Sequence, residues 1–296
     1  MSSHLSLNED LNPAVYIPGS SLSADKRRTF QPYGDILQTD ASGNGNYNSL
    51  QMTMQKRLSH GFSVLANYTW QKSLDNVPPS SGGTGASVAG GGSLAPLPWY
   101  ASGNRQLDYG RSEFNRQHVF VLSYLWDLPS FRLSNRFTRT VLGDWEVTGI
   151  VSVETGLPFS VYAGKDVSQT ALNSDRGIYV SGDPYGTNAC HSAPCIGWVN
   201  PAAFTTPATG GAGNVGKGAL VGPGLFNWDV GIFKNIRMTE RWRAQLPGEF
   251  FNTLNHSNFT SSGNNYPNQS LSSAGFGTIT TAYDPRILQL ALKIVF

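Results

Sequence analysis

YNSLQMTMQKRLSHGFSVLANYTWQKSLDN, residues 47–76, reads as two strands joined by a tight turn. Successive side chains of a strand point to opposite faces. In residues 47–59, Leu50, Met52, Met54 and Leu58 fall on one face; Ser49, Gln51, Thr53, Gln55 and Arg57 fall on the other. Lys56 shares the apolar face, but near a strand end its stem can lie on apolar surface while the ammonium reaches water. Residues 62–74 repeat the pattern, with Phe62, Val64, Ala66, Tyr68 and Trp70 opposed to Ser63, Asn67, Thr69 and Gln71. Only Ser59-His60-Gly61 separates the two runs, which predicts a hairpin.

The same period of two recurs downstream. It aligns Phe120, Leu122, Tyr124, Trp126 and Leu128 in residues 117–128. Residues 145–155 set Trp145, Val147, Val151 and Val153 against Glu146, Thr148, Ser152 and Glu154. Residues 227–237 align Trp228, Val230, Ile232 and Ile236. The end of the sequence sets Leu288, Leu290, Leu292, Ile294 and Phe296 against Gln289, Ala291 and Lys293. Residues 241–251 are less regular, because Pro247 and Gly248 interrupt them; proline lacks a ladder donor, so a bulge is expected there. A weaker strand is expected at residues 33–39. The total is about eight strands, each near the 9–11 residues with which a tilted strand crosses a bilayer.

The connections fall into two classes. Links after Ser59, Leu128 and Arg237 are short, whereas residues 76–116, 164–226 and 260–275 are long and rich in Gly, Pro, Ser and Asn. Counted up and down, the short links share one side of the sheet, apart from a brief turn expected at residues 41–46. Short periplasmic turns and long outer loops mark outer-membrane barrels. Trp126, Trp145 and Trp242 adjoin short turns and Trp70 and Trp228 adjoin long loops, which suits two interfacial aromatic bands. The fold class is therefore all-β: an antiparallel transmembrane β-barrel segment. Residues 1–32 are read as an N-terminal loop or linker, and 33–296 as barrel.

Composition agrees. With 14% charged residues and 11% aromatics, the chain has too little charge for a helical bundle and too many rings for a disordered tail. A formal charge of +2 gives no electrostatic case for nucleic acid. No apolar run reaches the length of a membrane helix, which leaves strands free to cross. MSSHLSLNED lacks the basic start and apolar centre of a signal peptide, so we expect that the chain is the tail of something longer.

Motifs that resemble chemistry fail on context. Gly211-Ala212-Gly213-Asn214-Val215-Gly216-Lys217 nearly matches a phosphate-binding loop, but no strand precedes it and no helix follows, and Gly218 holds the hydroxyl position. It reads as a flexible glycine loop. Cys190 and Cys195, with His191 between them, lack the four ligands of a structural zinc site; a local disulfide in an oxidising compartment fits them better. The five histidines are scattered and no nucleophile elbow surrounds them, so no enzyme, cofactor or metal is expected.

Several segments together resemble the TonB-dependent outer-membrane receptors, and among these the Oar-like members. They are residues 47–76, WEVTGIVSVETGLPFSV (145–161), WVNPAAF (198–204), GPGLFNWDVGIFKN (222–235), EFFNTLNHSNF (249–259) and FGTITTAYDPRILQLALKIVF (276–296). The resemblance runs from about residue 12 onward. It implies a barrel of about 22 strands around a plug, in the outer membrane of a Gram-negative bacterium, of which this chain supplies the C-terminal portion. The implied partners are outer-membrane lipid, the remaining N-terminal barrel and plug, and TonB only through that plug. Leu290, Leu292, Ile294 and Phe296 resemble the C-terminal signal read by the barrel assembly machinery. The implied role is energy-coupled uptake, or an Oar-like surface or adhesion role, with loop aromatics such as Trp99, Tyr100 and Trp198 as ligand contacts. Two alternatives stay open: a soluble secreted β-sandwich that binds carbohydrate through the same three aromatics, and an eight-stranded barrel complete in itself.

Overall fold

The structure, a computed structural model, describes residues 2–77, 108–129, 141–172, 175–186, 196–237, 242–260 and 267–295. The strands are β1 (Ser2–Asp10), β2 (Leu37–Ser59), β3 (Phe62–Asp75), β4 (His118–Asp127), β5 (Trp145–Glu154), β6 (Leu225–Arg237), β7 (Arg243–Phe251), β8 (Ile287–Leu290) and β9 (Lys293–Val295). They form one antiparallel meander in which each strand pairs with its neighbour in sequence, β8 and β9 both lying along β7. The sheet is not closed: β1 and β2 border one edge, β8 and β9 the other.

The hairpin expected at Ser59 is present, with His60 and Gly61 at φ 54° and 74°, the paired left-handed conformation of a two-residue turn. Two features differ from the sequence reading at the other end of β2. Of the strand expected at 33–39 only residues 37–39 are strand, and they and the turn expected at 41–46 belong to one long β2. Gly43 and Gly45 mark an irregular stretch of the β1–β2 ladder instead, with register shifts on either side of Leu5. A Cβ on Gly43 would lie 2.7 Å from the Leu5 carbonyl oxygen, so the glycine is there for close approach. With that turn gone, the loop asymmetry has no exception. Residues 1–32, read as linker, contain β1; only Leu5 and Leu7 alternate there, among strand-poor Ser, Asn, Glu and Asp, so the pattern is too short to see.

Pro247 acts differently from expectation too. The β6–β7 ladder runs through Phe233↔Pro247 and Ile232↔Gly248 without a bulge. The interruption falls on the next strand, where the Ala291 amide donates to the Pro247 carbonyl at 3.1 Å and proline has no N–H to return the bond. Pairing resumes in unchanged register at Gln245↔Lys293, so a missing rung splits the last strand into β8 and β9.

Register fixes which side chains share a face. Directly opposed pairs carry the apolar stripe across the sheet: Leu50 to Trp70, Met52 to Tyr68 to Phe120 to Val153, and Met54 to Ala66 to Leu122 to Val151 to Trp228. It ends on Phe250↔Leu288 and Gly248↔Leu290. Leu290 is 74% exposed and Met54 62%, so this face packs against no protein layer among the described residues. Between Trp70↔His118 and Phe62↔Trp126 lie eight residue steps, about 26 Å of strand at 3.3 Å per residue. At a barrel tilt of about 35–45° that length rises about 20 Å, most of the apolar band of a barrel wall, about 25 Å. The ladder is also sheared: partners lead from Leu290, inside the last strand, through Gly248, Ile232, Val147 and Trp126 to Phe62 at the foot of β3. Strands must tilt in this way to curve into a barrel.

The buried core lies elsewhere, in the loops on the long-loop side. Phe159, Val161, Val199, Phe204, Leu220 and Phe276 form a cluster that Leu157, Trp198 and Leu271 complete. Two-residue ladders stitch it, such as Pro158–Phe159 to Leu220–Val221 and Ile196–Gly197 to Thr278–Ile279. These short ladders are the only other sheets among the described residues. A sandwich needs a second sheet of comparable size facing the first, and none is present among them.

Candidate functional site: the lumenal face and the outer cap

The face opposite the apolar stripe is polar and concave. Gln55, Arg57, Ser63, Ser123, Thr148, Asp229 and Glu249 line a trough of about 610 Å³, floored by Leu65, Leu125, Ile150 and Phe233. Towards the short turns a second hollow, about 590 Å³, is lined by Asp127, Glu146, Asn235, Arg243, Gln245 and Lys293. Charges of both signs on one face suit a water-filled lumen. On the apolar face the exceptions are handled locally. The Lys56 ammonium sits 4.7 Å from the centre of the Phe62 ring, as its position near the strand end suggested. Lys234, buried on that face, reaches the Gly143 carbonyl in the adjoining turn and lies 5.4 Å from the Trp145 ring centre.

Above the lumen, the loops form a cap fastened by buried charge. Arg176 and Lys217 come from the β5–β6 connection; Asp75 ends β3, and Asp108 and Glu113 precede β4. Lys217 is 6% exposed and its ammonium donates to the Asp75 carboxylate and to the carbonyls of Asp75 and Val77. Arg176 is 3% exposed; one amino group donates to the Val215 carbonyl at 2.9 Å and the other faces Asp108 at 3.5 Å. That separation leaves Asp108 Oδ1, Arg176 Nε and Nη2 without a hydrogen bond among the described residues, so the pair is held by charge alone. Burial raises the Asp108 carboxyl to about 6 against the pull of Arg176 and Lys217. Burial likewise raises Glu113 to about 7, and it lowers Lys217 against the opposing effect of Asp75.

The near-phosphate motif belongs to this fastening. A Cβ on Gly218, at φ 58°, would fall 2.7 Å from the Arg111 carbonyl oxygen, and Gly213 backs directly onto the carbonyls of Arg176 and Gly177. The glycines let the loop close on its neighbours, and the lysine between them is spent on Asp75. Sequence reasoning passed over Lys217, Asp108 and Arg176. The available signal was a lysine flanked by glycines, whose close approach implies burial.

Of the loop aromatics, Trp198 is half-buried on the cap core. Its indole N–H donates to the Val221 carbonyl at 2.8 Å, and its ring meets Tyr185 edge to face at 6.2 Å. Tyr185 Oη accepts from the Val221 amide at 2.8 Å, so both rings are fixed by backbone. With Ile196 and Val221 they line an apolar recess of about 490 Å³. It can take an apolar group and offers little to a polyhydroxylated sugar. Trp99, Tyr100, Cys190, Cys195 and Phe296 lie outside the described residues. Leu290, Leu292 and Ile294 are exposed on the apolar face.

An open, sheared, antiparallel meander with an apolar outer face, a polar inner face and ordered loops at one rim defines the wall of a transmembrane β-barrel. A family model described as an outer membrane beta barrel domain matches residues 1–289, and the chain belongs to that family. Its place is the outer membrane. No curated protein and no solved structure matches the chain.

Proposed function

We propose that this chain is part of the barrel of a TonB-dependent, Oar-like receptor and serves energy-coupled uptake as a non-enzymatic wall and outer cap. The observation that carries the reading is the open sheet. The wall is curved, sheared and two-faced, yet its edges do not meet, which suits one sector of a larger barrel better than a self-contained one. In this reading lipid contacts the Leu50-to-Leu290 face and a plug fills the polar side. The cap, with its Tyr185–Trp198 recess, meets the solute first. The assembly machinery recognises the last strand, and TonB acts through the plug.

The test is to isolate the protein from native outer membranes, size the polypeptide that carries these peptides, and measure its binding to a purified C-terminal domain of TonB. We expect a polypeptide roughly three times longer, as a barrel of about 22 strands with a plug requires, and saturable TonB binding. A polypeptide of the present length, or a longer one with no affinity for TonB, refutes the receptor assignment.

A further inference from the structure

We infer that the outer edge of β2 from Asn46 to Ser59 is a docking surface for one further strand, amphipathic and antiparallel to β2, in line with β1. The inference deepens the reading above, since it assigns which edge of the sector joins the rest of the barrel and in which sense. β1 covers only the upper part of β2, pairing with Leu37 to Gly45. Below that, among the described residues, β2 is paired on the β3 side alone. The Asn76 amide donates to the Asn44 carbonyl, so even-numbered residues there turn their backbone groups towards β3. Alternation then points the amides and carbonyls of Tyr47, Ser49, Gln51, Thr53 and Gln55 outward. Leu50, Met52 and Met54 place this same stretch at membrane depth, where an unpaired backbone group costs several kcal/mol.

Direction decides the occupant. β2 descends to the His60-Gly61 turn, and with five strands between them, β3 to β7, β8 and β9 descend as well. The two free edges therefore run the same way and cannot close on each other antiparallel. A second copy inserted in the same orientation offers the same two descending edges and fails for the same reason. An ascending strand is required, and β1 already ascends along this edge. Counting the one that docks on β2, the number of strands needed to close the ring at this depth is odd, and that docking strand should set apolar side chains opposite Leu50, Met52 and Met54.

Residue-resolved hydrogen exchange on the whole chain in detergent micelles tests this. As the probe we choose a synthetic peptide with the β3 sequence FSVLANYTWQKSLD, because β3 is the partner β2 accepts on its other side. Without peptide, the outward amides from Tyr47 to Gln55 should exchange at least tenfold faster than those of Asn48, Leu50, Met52 and Met54. Saturating peptide should slow the outward set at least tenfold, and a spin label on its N-terminus should broaden Gln55 rather than Tyr47. Equal protection or equal exposure of the two sets, no slowing by peptide, or broadening at Tyr47 overturns the inference. None of these outcomes bears on TonB binding, so the two readings fail separately.

Discussion

Replacing Lys217 by methionine keeps the length and apolar stem of the side chain and deletes the charge that fastens the cap. The ammonium it removes serves the Asp75 carboxylate and two backbone carbonyls, at a site where the lysine and aspartate side chains are 3% and 10% exposed. Surface ion pairs contribute about 0–1 kcal/mol. Breaking a buried pair by removing one partner costs about 3–5 kcal/mol, because the other charge stays behind without compensation. The strain should be relieved locally. The cap has its own core around Val161, Val199 and Phe276, so it can open while the sheet stays paired. At about 4 kcal/mol, and tenfold per 1.4 kcal/mol, the open fraction of the β5–β6 connection should rise close to a thousandfold.

The assay is limited proteolysis of the outer-membrane protein, scored by cleavage within residues 155–224, under conditions where opening and reclosing outpace cleavage. Heat-modifiable mobility of the barrel on gels should stay as in the wild type. The double variant Asp75→Asn with Lys217→Met should recover most of the protection, since removing both charges leaves neither stranded. Less than a tenfold rise in cleavage for Lys217→Met, or a double variant as sensitive as the single, would refute the argument that this pair fastens the cap.

Asp108 extends the same cluster to a pH dependence. Its folded pKa is about 6 and an unfolded aspartate titrates near 3.9, so the raised value stabilises the closed cap below the unfolded pKa and that stability is lost as pH rises through 6. Two units correspond to about 3 kcal/mol. Asp108→Asn should therefore flatten the pH profile of proteolysis between pH 4 and pH 8; an unchanged profile contradicts the assignment. Pro247→Ala supplies the missing N–H opposite Ala291 and should join β8 to β9, a gain of about 1 kcal/mol, read as slowed exchange of the Ala291 amide on that same rung; unaltered exchange there would mean that the rung is not the cause of the break. Gly149 lies under the Tyr124 ring, whose hydroxyl accepts from the Trp228 indole at 3.2 Å. Gly149→Val should lower the temperature of heat modification and Tyr124→Ala should restore it; an unperturbed single variant would show that the ring has room to move. Leu290→Arg should destabilise the inserted barrel by about 2–4 kcal/mol, whereas Gln289→Arg on the lumenal side should be tolerated; equal effects would reverse the assignment of faces.

The wall was legible because period-two alternation is enforced residue by residue when one face meets lipid and the other water. Hence Leu50 to Leu58, Phe62 to Trp70 and Phe120 to Trp126 could be assigned from sequence alone. What escaped depended on partners distant in sequence. Gly43 reads as a turn until Leu5 is placed against it, and Pro247 reads as a local bulge until its missing donor is matched to Ala291. The cap was least legible. Its ion pairs join Asp75 to Lys217 and Asp108 to Arg176 across long connections with no periodicity, so apart from the glycines beside Lys217 nothing local marks those residues as buried.

Where the core sits bears on how such a chain holds its shape. A soluble sheet protein buries one face against another layer, and its hydrophobic side chains vanish from the surface. Here the sheet keeps Leu50, Met54 and Leu290 exposed while the loops bury Val161, Val199 and Ile279 completely. Burial therefore cannot drive the sheet to form in water; lipid supplies that term, and backbone pairing enforces it at membrane depth. The cap differs, because its apolar core is made from loop residues and its charged fastening from loop residues and Asp75 at the end of β3. Wall and cap answer to different solvents. Cap variants such as Lys217→Met should thus change access from outside, and wall variants such as Leu290→Arg should change insertion, with little crossover between the two readouts.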